Sequence, residues 1–221
     1  GLVNLAKKIA GKTPIEHRAG RPPKVFLTNS GTEADETAVV TARLFAKQDT
    51  IIALRYGYSG RSQLAMSLTA HGPWRHGPPA GNILHTVSGY CYRCPFGLEY
   101  PSCDVKCARD LEEKIQTETQ GKVAALLAEP IQGVGGFITP PKEFFPILVG
   151  ITRKYGGIFI CDEVQSGWGR TGDKWCGIEH WGVVPEIMTF AKGIANGFPM
   201  GATVARADVA DAFSGLTIST F

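Results

Sequence analysis

Three short stretches of this 221-residue chain put reactive side chains where a fold could use them. The first is Ser30-Gly31-Thr32, directly ahead of a helix-patterned run. Free backbone N–H groups and the helix dipole at such a start favour an anion, and the hydroxyls add donors. An ordinary helix cap uses the same residues. The second is Gly157 to Gln165, GIFICDEVQ, in which Asp162 follows a short apolar run. An acid at the end of a buried strand can hold a ring nitrogen protonated by charge pairing, bind a metal or cap the next segment. The third is Phe190 to Ile194, FAKGI, where Lys192 follows an apolar run and precedes a glycine. A desolvated lysine is a Schiff-base nucleophile, whereas most lysines are solvated surface charges.

The elements that must position these residues alternate. Thr32 to Lys47 places Ala34, Ala38, Val39, Ala42, Phe45 and Ala46 at the helical period. Thr50 to Leu54, Val123 to Ala128 and Gly157 to Cys161 are short apolar runs that read as buried strands. Glu186 to Ala191 and Met200 to Ala205 read as two more strands. Arg61 to Leu68, Cys107 to Thr119, Lys142 to Tyr155 and Ala207 to Phe213 read as helices. Ala70 to Asn82 is loop, from its glycines and prolines, and Cys91 to Lys106 is irregular. Strands separated by helices imply an α/β fold with a mostly parallel sheet and helices on both faces. Such sheets bind ligands beyond the carboxyl ends of their strands, which is where Asp162 and Lys192 fall.

Composition excludes several classes. A net charge of +3, from 23 basic and 20 acidic residues, is too balanced for a nucleic-acid or membrane-surface protein. No apolar stretch reaches the length of a membrane span. The six cysteines lack the pattern of a small secreted scaffold, so a reducing compartment is expected, cytoplasm or organellar matrix. Four of them, Cys91, Cys94, Cys103 and Cys107, have the spacing C-x2-C-x8-C-x3-C. Four thiolates could hold a structural zinc; a surface loop of reduced thiols is the expected reading, and no metal is assigned. The five histidines lack i, i+4 metal spacing. Leu2, Leu5, Ala6 and Ile9 begin a helix with no capping residue before it, and Leu216 to Phe221 is a β-like run that stops without a turn. Both ends are therefore expected to be cuts in a longer polypeptide.

Four motifs in order, SGTE from Ser30, EPIQG from Glu129, DEVQSGWGRTG from Asp162 and KGIANGFPMG from Lys192, resemble the class III (ω-amino) aminotransferases of pyridoxal-phosphate (PLP) fold type I. The resemblance covers nearly the whole chain and implies the large, cofactor-binding domain, residues 1–221, with an N-terminal segment and a C-terminal small domain lying outside it. It also implies a homodimer acting on a small amino donor and a keto acid.

The roles that the resemblance implies are specific. Lys192 carries PLP as a Schiff base and then moves the 1,3-proton. Asp162 pairs with the protonated ring nitrogen, Gln165 bonds the ring hydroxyl, and Val164 packs on one ring face. Gly31 and Thr32 bind the phosphate, with Ser30 nearby. Tyr58 stacks on the other ring face, although relatives often carry histidine where Ser59 stands. Glu129 lies near cofactor or substrate. Thr220 resembles a threonine that reaches the phosphate of the neighbouring subunit. Members using 2-oxoglutarate often carry glutamate where this chain has Val134. That departure is similar to the alanine–glyoxylate aminotransferases of the ω-class, which favour alanine with glyoxylate or pyruvate. Other chemistries of the class, namely decarboxylating transamination, amino migration and lyase reactions, share the same machinery. A fragment that binds PLP without turnover is the remaining alternative.

Overall fold

Successive residues of the central strands serve opposite cores. In a computed structural model describing residues 1–213 and 215, Leu126 and Ala128 join one apolar cluster while Ala125 and Leu127 join another. Phe159 and Cys161 alternate with Ile158 and Ile160 in the same way. Side chains of a strand point to alternate faces, so an unbroken apolar run is what a sheet covered on both sides requires.

The elements in chain order are α1 (Leu2–Ala10), β1 (Lys24–Thr28), α2 (Gly31–Ala46), β2 (Ile51–Leu54), α3 (Gln63–Leu68), β3 (Ile83–Thr86), α4 (Lys106–Glu118), β4 (Ala125–Ala128), α5 (Phe144–Lys154), β5 (Ile158–Asp162), β6 (Ile187–Phe190), β7 (Gly201–Ala205) and α6 (Ala207–Asp211). Among the described residues, seven strands form one sheet in the order β1-β7-β6-β5-β4-β2-β3. Strands β3, β2, β4, β5 and β6 pair in parallel, while β7 is antiparallel to both β6 and β1. Helices α4 and α5 pack on one face, through Leu111, Ile115, Phe145 and Leu148. Helix α2 covers the other through small residues, Ala38, Val39 and Ala42, beside Leu68 of α3 and Val209 of α6.

The reversal of β7 matters for the site. Its amino end, rather than its carboxyl end, lies at the edge where β4, β5 and β6 terminate. The segment leading into it, Gly197 to Met200, therefore reaches the same edge. Strand β1, antiparallel to β7, runs with the rest of the sheet and delivers Ser30 and the start of α2 there.

The alternation of buried runs is as the sequence reads. Strands β1 and β3 are not read from it. Both are sheet edges, and β1 is mostly exposed or half-buried, so neither carries a fully apolar run. The irregular reading of Cys91 to Lys106 holds apart from one short 3-10 turn at Cys91–Arg93 and from Lys106, which opens α4. No helix among the described residues is long and apolar enough to cross a membrane.

Candidate active site

The carboxyl ends of the parallel strands open into a cleft of about 500 Å³, within the usual range for small-molecule sites. Nine of the ten residues singled out from sequence line it: Ser30, Gly31, Thr32, Tyr58, Glu129, Asp162, Val164, Gln165 and Lys192. Thr220 lies outside the described residues. Five separate segments supply the nine, and the sheet is what brings them together.

At one end is the start of α2. Ser30 caps it, its hydroxyl accepting from the Glu33 amide at 3.2 Å, and the Glu33 carboxylate accepts from the Asn29 amide at 2.6 Å. The amides of Gly31 and Thr32 precede the first intrahelical bond and meet no acceptor among the described residues. A Cβ on Gly31 would lie 3.1 Å from Val164 and 3.3 Å from Ala191. Glycine thus lets the helix start close over the floor of the cleft.

At the other end are acids. Asp162 is the last residue of β5 and is buried, its Oδ1 accepting from the Val164 amide at 2.9 Å. Burial holds its carboxyl above the usual carboxylate range; the Val164 amide and the Lys192 charge pull it partly back. Glu129 follows β4 and is buried, accepting from the Tyr58 amide at 3.0 Å and the Gly133 amide at 3.2 Å. Burial first, and the Asp162 charge second, push it upward too. A third buried acid, Asp35, lines the cleft from the first turns of α2.

Lys192 is exposed to the cleft just after β6, and its Nζ donates to Gln165 Oε1 at 2.6 Å. Its backbone is left-handed, at φ 50°. A non-glycine residue held there is strained, and such strain gathers at functional sites. Gln165 has room because Gly133 lies beside it: a Cβ there would come within 2.0 Å of the Gln165 amide nitrogen. Tyr58 stands edge-on to Trp74 at the mouth, with ring centroids 5.7 Å apart. Val134 lines the cleft as well.

Two residues escaped the sequence reading. Asp35 lies inside a helix whose acids look like a solvated face, and only its phase with Ala34 and Ala38 signals burial. Glu163, next to Asp162, points the opposite way. It accepts from the Gly177 and Ile178 amides, at 2.9 and 2.8 Å, and pins the turn Gly177–Trp181 to the sheet. The period-2 alternation separates the two neighbouring acids into a cleft acid and a structural one.

Comparison with known proteins bears on the family and the fold. The family described as aminotransferase class-III matches residues 2–221. The chain belongs to the class III aminotransferases. Its curated relatives within the class include a mitochondrial alanine–glyoxylate aminotransferase 2 homologue of Arabidopsis thaliana, 38% identical over 99% of this chain and 46% of the relative. A leucine/methionine racemase of Thermococcus litoralis is 39% identical over 94% of this chain and 46% of its own. Among solved structures, an amine transaminase from an uncultivated Pseudomonas species, in its PLP-bound form, superposes with TM-score 0.87 at 31% identity, over 100% of this chain and 52% of that one. An (S)-enantioselective omega-transaminase from Thermomicrobium roseum gives TM-score 0.87 at 32% identity, over 99% and 50%. This class III chain thus has the PLP fold type I architecture of those transaminases, and spans about half the length of the curated relatives it matches.

The cysteine loop is a separate place. Cys91 is exposed and Cys94, Cys103 and Cys107 are half-buried, around an apolar crevice of about 20 Å³. Burial pushes the Cys107 thiol up to about 11. Among the described residues, no group of three or more His, Cys, Asp or Glu side chains is arranged to hold a metal ion.

Proposed function

We propose that the full-length protein is a PLP-dependent aminotransferase. It moves an amino group from an amino acid or ω-amino compound to a small keto acid such as glyoxylate or pyruvate. One observation carries the reading. The cleft sets three buried carboxyls against two cations, Lys192 and Arg61, and has free N–H donors at the start of α2. A molecule with a protonated pyridine at one end and a phosphate at the other complements both.

The residues present fit that group. Gly31 and Thr32 would hold the phosphate, Asp162 the ring nitrogen, Gln165 the ring hydroxyl, and Val164 and Tyr58 the two faces of the ring. Pyridoxal phosphate, when bound, supplies an electron sink for the pair released at the amino-bearing carbon of the substrate. Lys192 Nζ anchors the cofactor and carries the proton to and from that carbon. Asp162 keeps the proton on the ring nitrogen. Glu129, fixed by two backbone amides, bounds the substrate side. Val134 offers no carboxylate to mask a substrate-reading arginine, which favours a small keto acid over 2-oxoglutarate.

We assign residues 1–221 to the large domain, and the rest of the enzyme to chain outside them. A homodimer is part of the same proposal, supported by Phe198, which lines the cleft and is 80% exposed. The reduced cysteines favour cytoplasm or an organellar matrix.

The first test is a visible spectrum of the full-length protein with PLP, for wild type and Lys192→Ala, before and after borohydride. A band fixed covalently in wild type and missing from the variant is expected. The same band in both proteins would remove Lys192 from its role. Donor and acceptor screening follows. Racemised amino acid without amino transfer would replace the transaminase reading with that of the Thermococcus relative.

A further inference from the structure

Asp35 is an acid that the proposed chemistry does not use. It is 1% exposed inside α2, and an ionised carboxylate left unpaired there is costly. No lysine or arginine among the described residues lies within ion-pair distance of it or of Asp162. Its Oδ1 accepts from the Thr189 hydroxyl at 2.7 Å. Thr189 is the cross-strand partner of Asp162 in the β5–β6 pairing, so the Asp35 carboxyl sits beside that of Asp162, in the same cleft wall.

The groups facing this pair are few. From beyond β4 comes Glu129, from beyond β6 Lys192, and from beyond β2 Tyr58, Ser59 and Arg61. The Lys192 amine is bonded to Gln165. Two neighbouring carboxyls in a dry pocket do not both ionise readily, and one keeps its proton. Burial, then the charges of Asp162 and Glu129, push Asp35 well above the carboxylate range; the hydroxyls of Thr189 and Ser59 only partly oppose this. On Asp162 the neighbouring Asp35 side chain acts in the opposite direction and lowers it.

We propose that Asp35 is a neutral positioning residue whose carboxylic O–H donates to Asp162 while its other oxygen accepts from Thr189. The chain Thr189–Asp35–Asp162 then presents one oriented carboxylate to the cleft. The proposal rests on Asp162 being the ring-nitrogen partner.

The test uses the full-length protein as wild type, Asp35→Asn and Asp35→Ala. Two quantities are measured between pH 5 and 8.5: the dissociation constant for PLP, and the thermal midpoint without cofactor. The carboxamide of Asp35→Asn still donates to Asp162 and accepts from Thr189, so its PLP affinity stays within about threefold of wild type. Asp35→Ala loses about tenfold to a hundredfold, the worth of a hydrogen bond to a charged group. The sign of the pH effect follows from linkage. The folded state holds a proton on Asp35 that the unfolded chain releases at the ordinary carboxylate pH. The wild-type midpoint therefore falls as pH rises above that range, and Asp35→Asn flattens the fall. Equal loss of PLP affinity in both variants would overturn the proposal, because the carboxylate itself would then be needed. Identical pH slopes for wild type and Asp35→Asn would overturn it too. If wild type takes up no PLP, the function proposed above fails. The slope without cofactor still shows which acid holds the proton.

Discussion

Two regions of this protein gather reactive side chains, and they do so in opposite ways. In the cleft, Ser30, Tyr58, Glu129, Asp162 and Lys192 come from five segments of the chain and meet around one cavity. In the loop beyond β3 and the first turn of α4, four cysteines come from one continuous segment, and their thiols surround only a small apolar crevice. The cleft groups sit at strand ends and at a capped helix start, held by backbone that the sheet has already fixed. Three of the cysteines sit on an irregular segment between β3 and α4, and Cys107 sits in the first turn of α4; they share no sheet edge that would aim them at a common point. Closeness in sequence is a weaker predictor of a site than attachment to one edge of a sheet.

Substitutions in the full-length protein test the contrast between the two regions. The largest effect is expected from Lys192→Ala, with a loss of amino transfer of about 10²–10⁴-fold, the usual worth of a positioned proton carrier; single-turnover kinetics with PLP present would measure it. Asp162→Asn comes next. It removes one side of a buried charge pairing, which costs about 2–5 kcal/mol, read as weaker PLP binding by titration. Ser30→Ala should cost about 1 kcal/mol through the lost cap of α2, seen in denaturant unfolding without cofactor. The smallest effect belongs to the other region. Cys91→Ser and Cys94→Ser should each stay within about 0.5 kcal/mol of wild type, and a chelator should leave the melting temperature unchanged. A chelator-induced drop would show a metal on the cysteine loop and abolish the distinction between the two regions.

The parts of the fold that could be read in advance share one property. Helix α2 and strands β2, β4, β5 and β6 are buried on a regular period, so their pattern is written in apolar positions. Strands β1 and β3 are edges and answer to a single neighbour each, so their residues need not repeat an apolar pattern. The direction of β7 has no local signal, since Gly201–Ala205 is equally apolar read either way. Its reversal is decided by pairing with β1 and β6, and it places Phe198 and Met200 at the cleft.

The acids divide in the same manner. Asp162 was readable because it directly follows an apolar run, and a strand that ends at the carboxyl edge must present its next polar group there. Asp35 was not, because one acid in a helix is ordinary and its meaning depends on Thr189, far along the chain. The alternation of elements, the capped start of α2, and the place of Asp162 and Lys192 at strand ends follow from local pattern alone. That these groups face one cavity, that Glu163 turns away from it, and that a third acid stands against Asp162 follow only once the chain is folded. The reason is physical. Periodicity and capping are short-range and act within a few residues, whereas the charge state of a buried carboxyl depends on every group the fold brings near it.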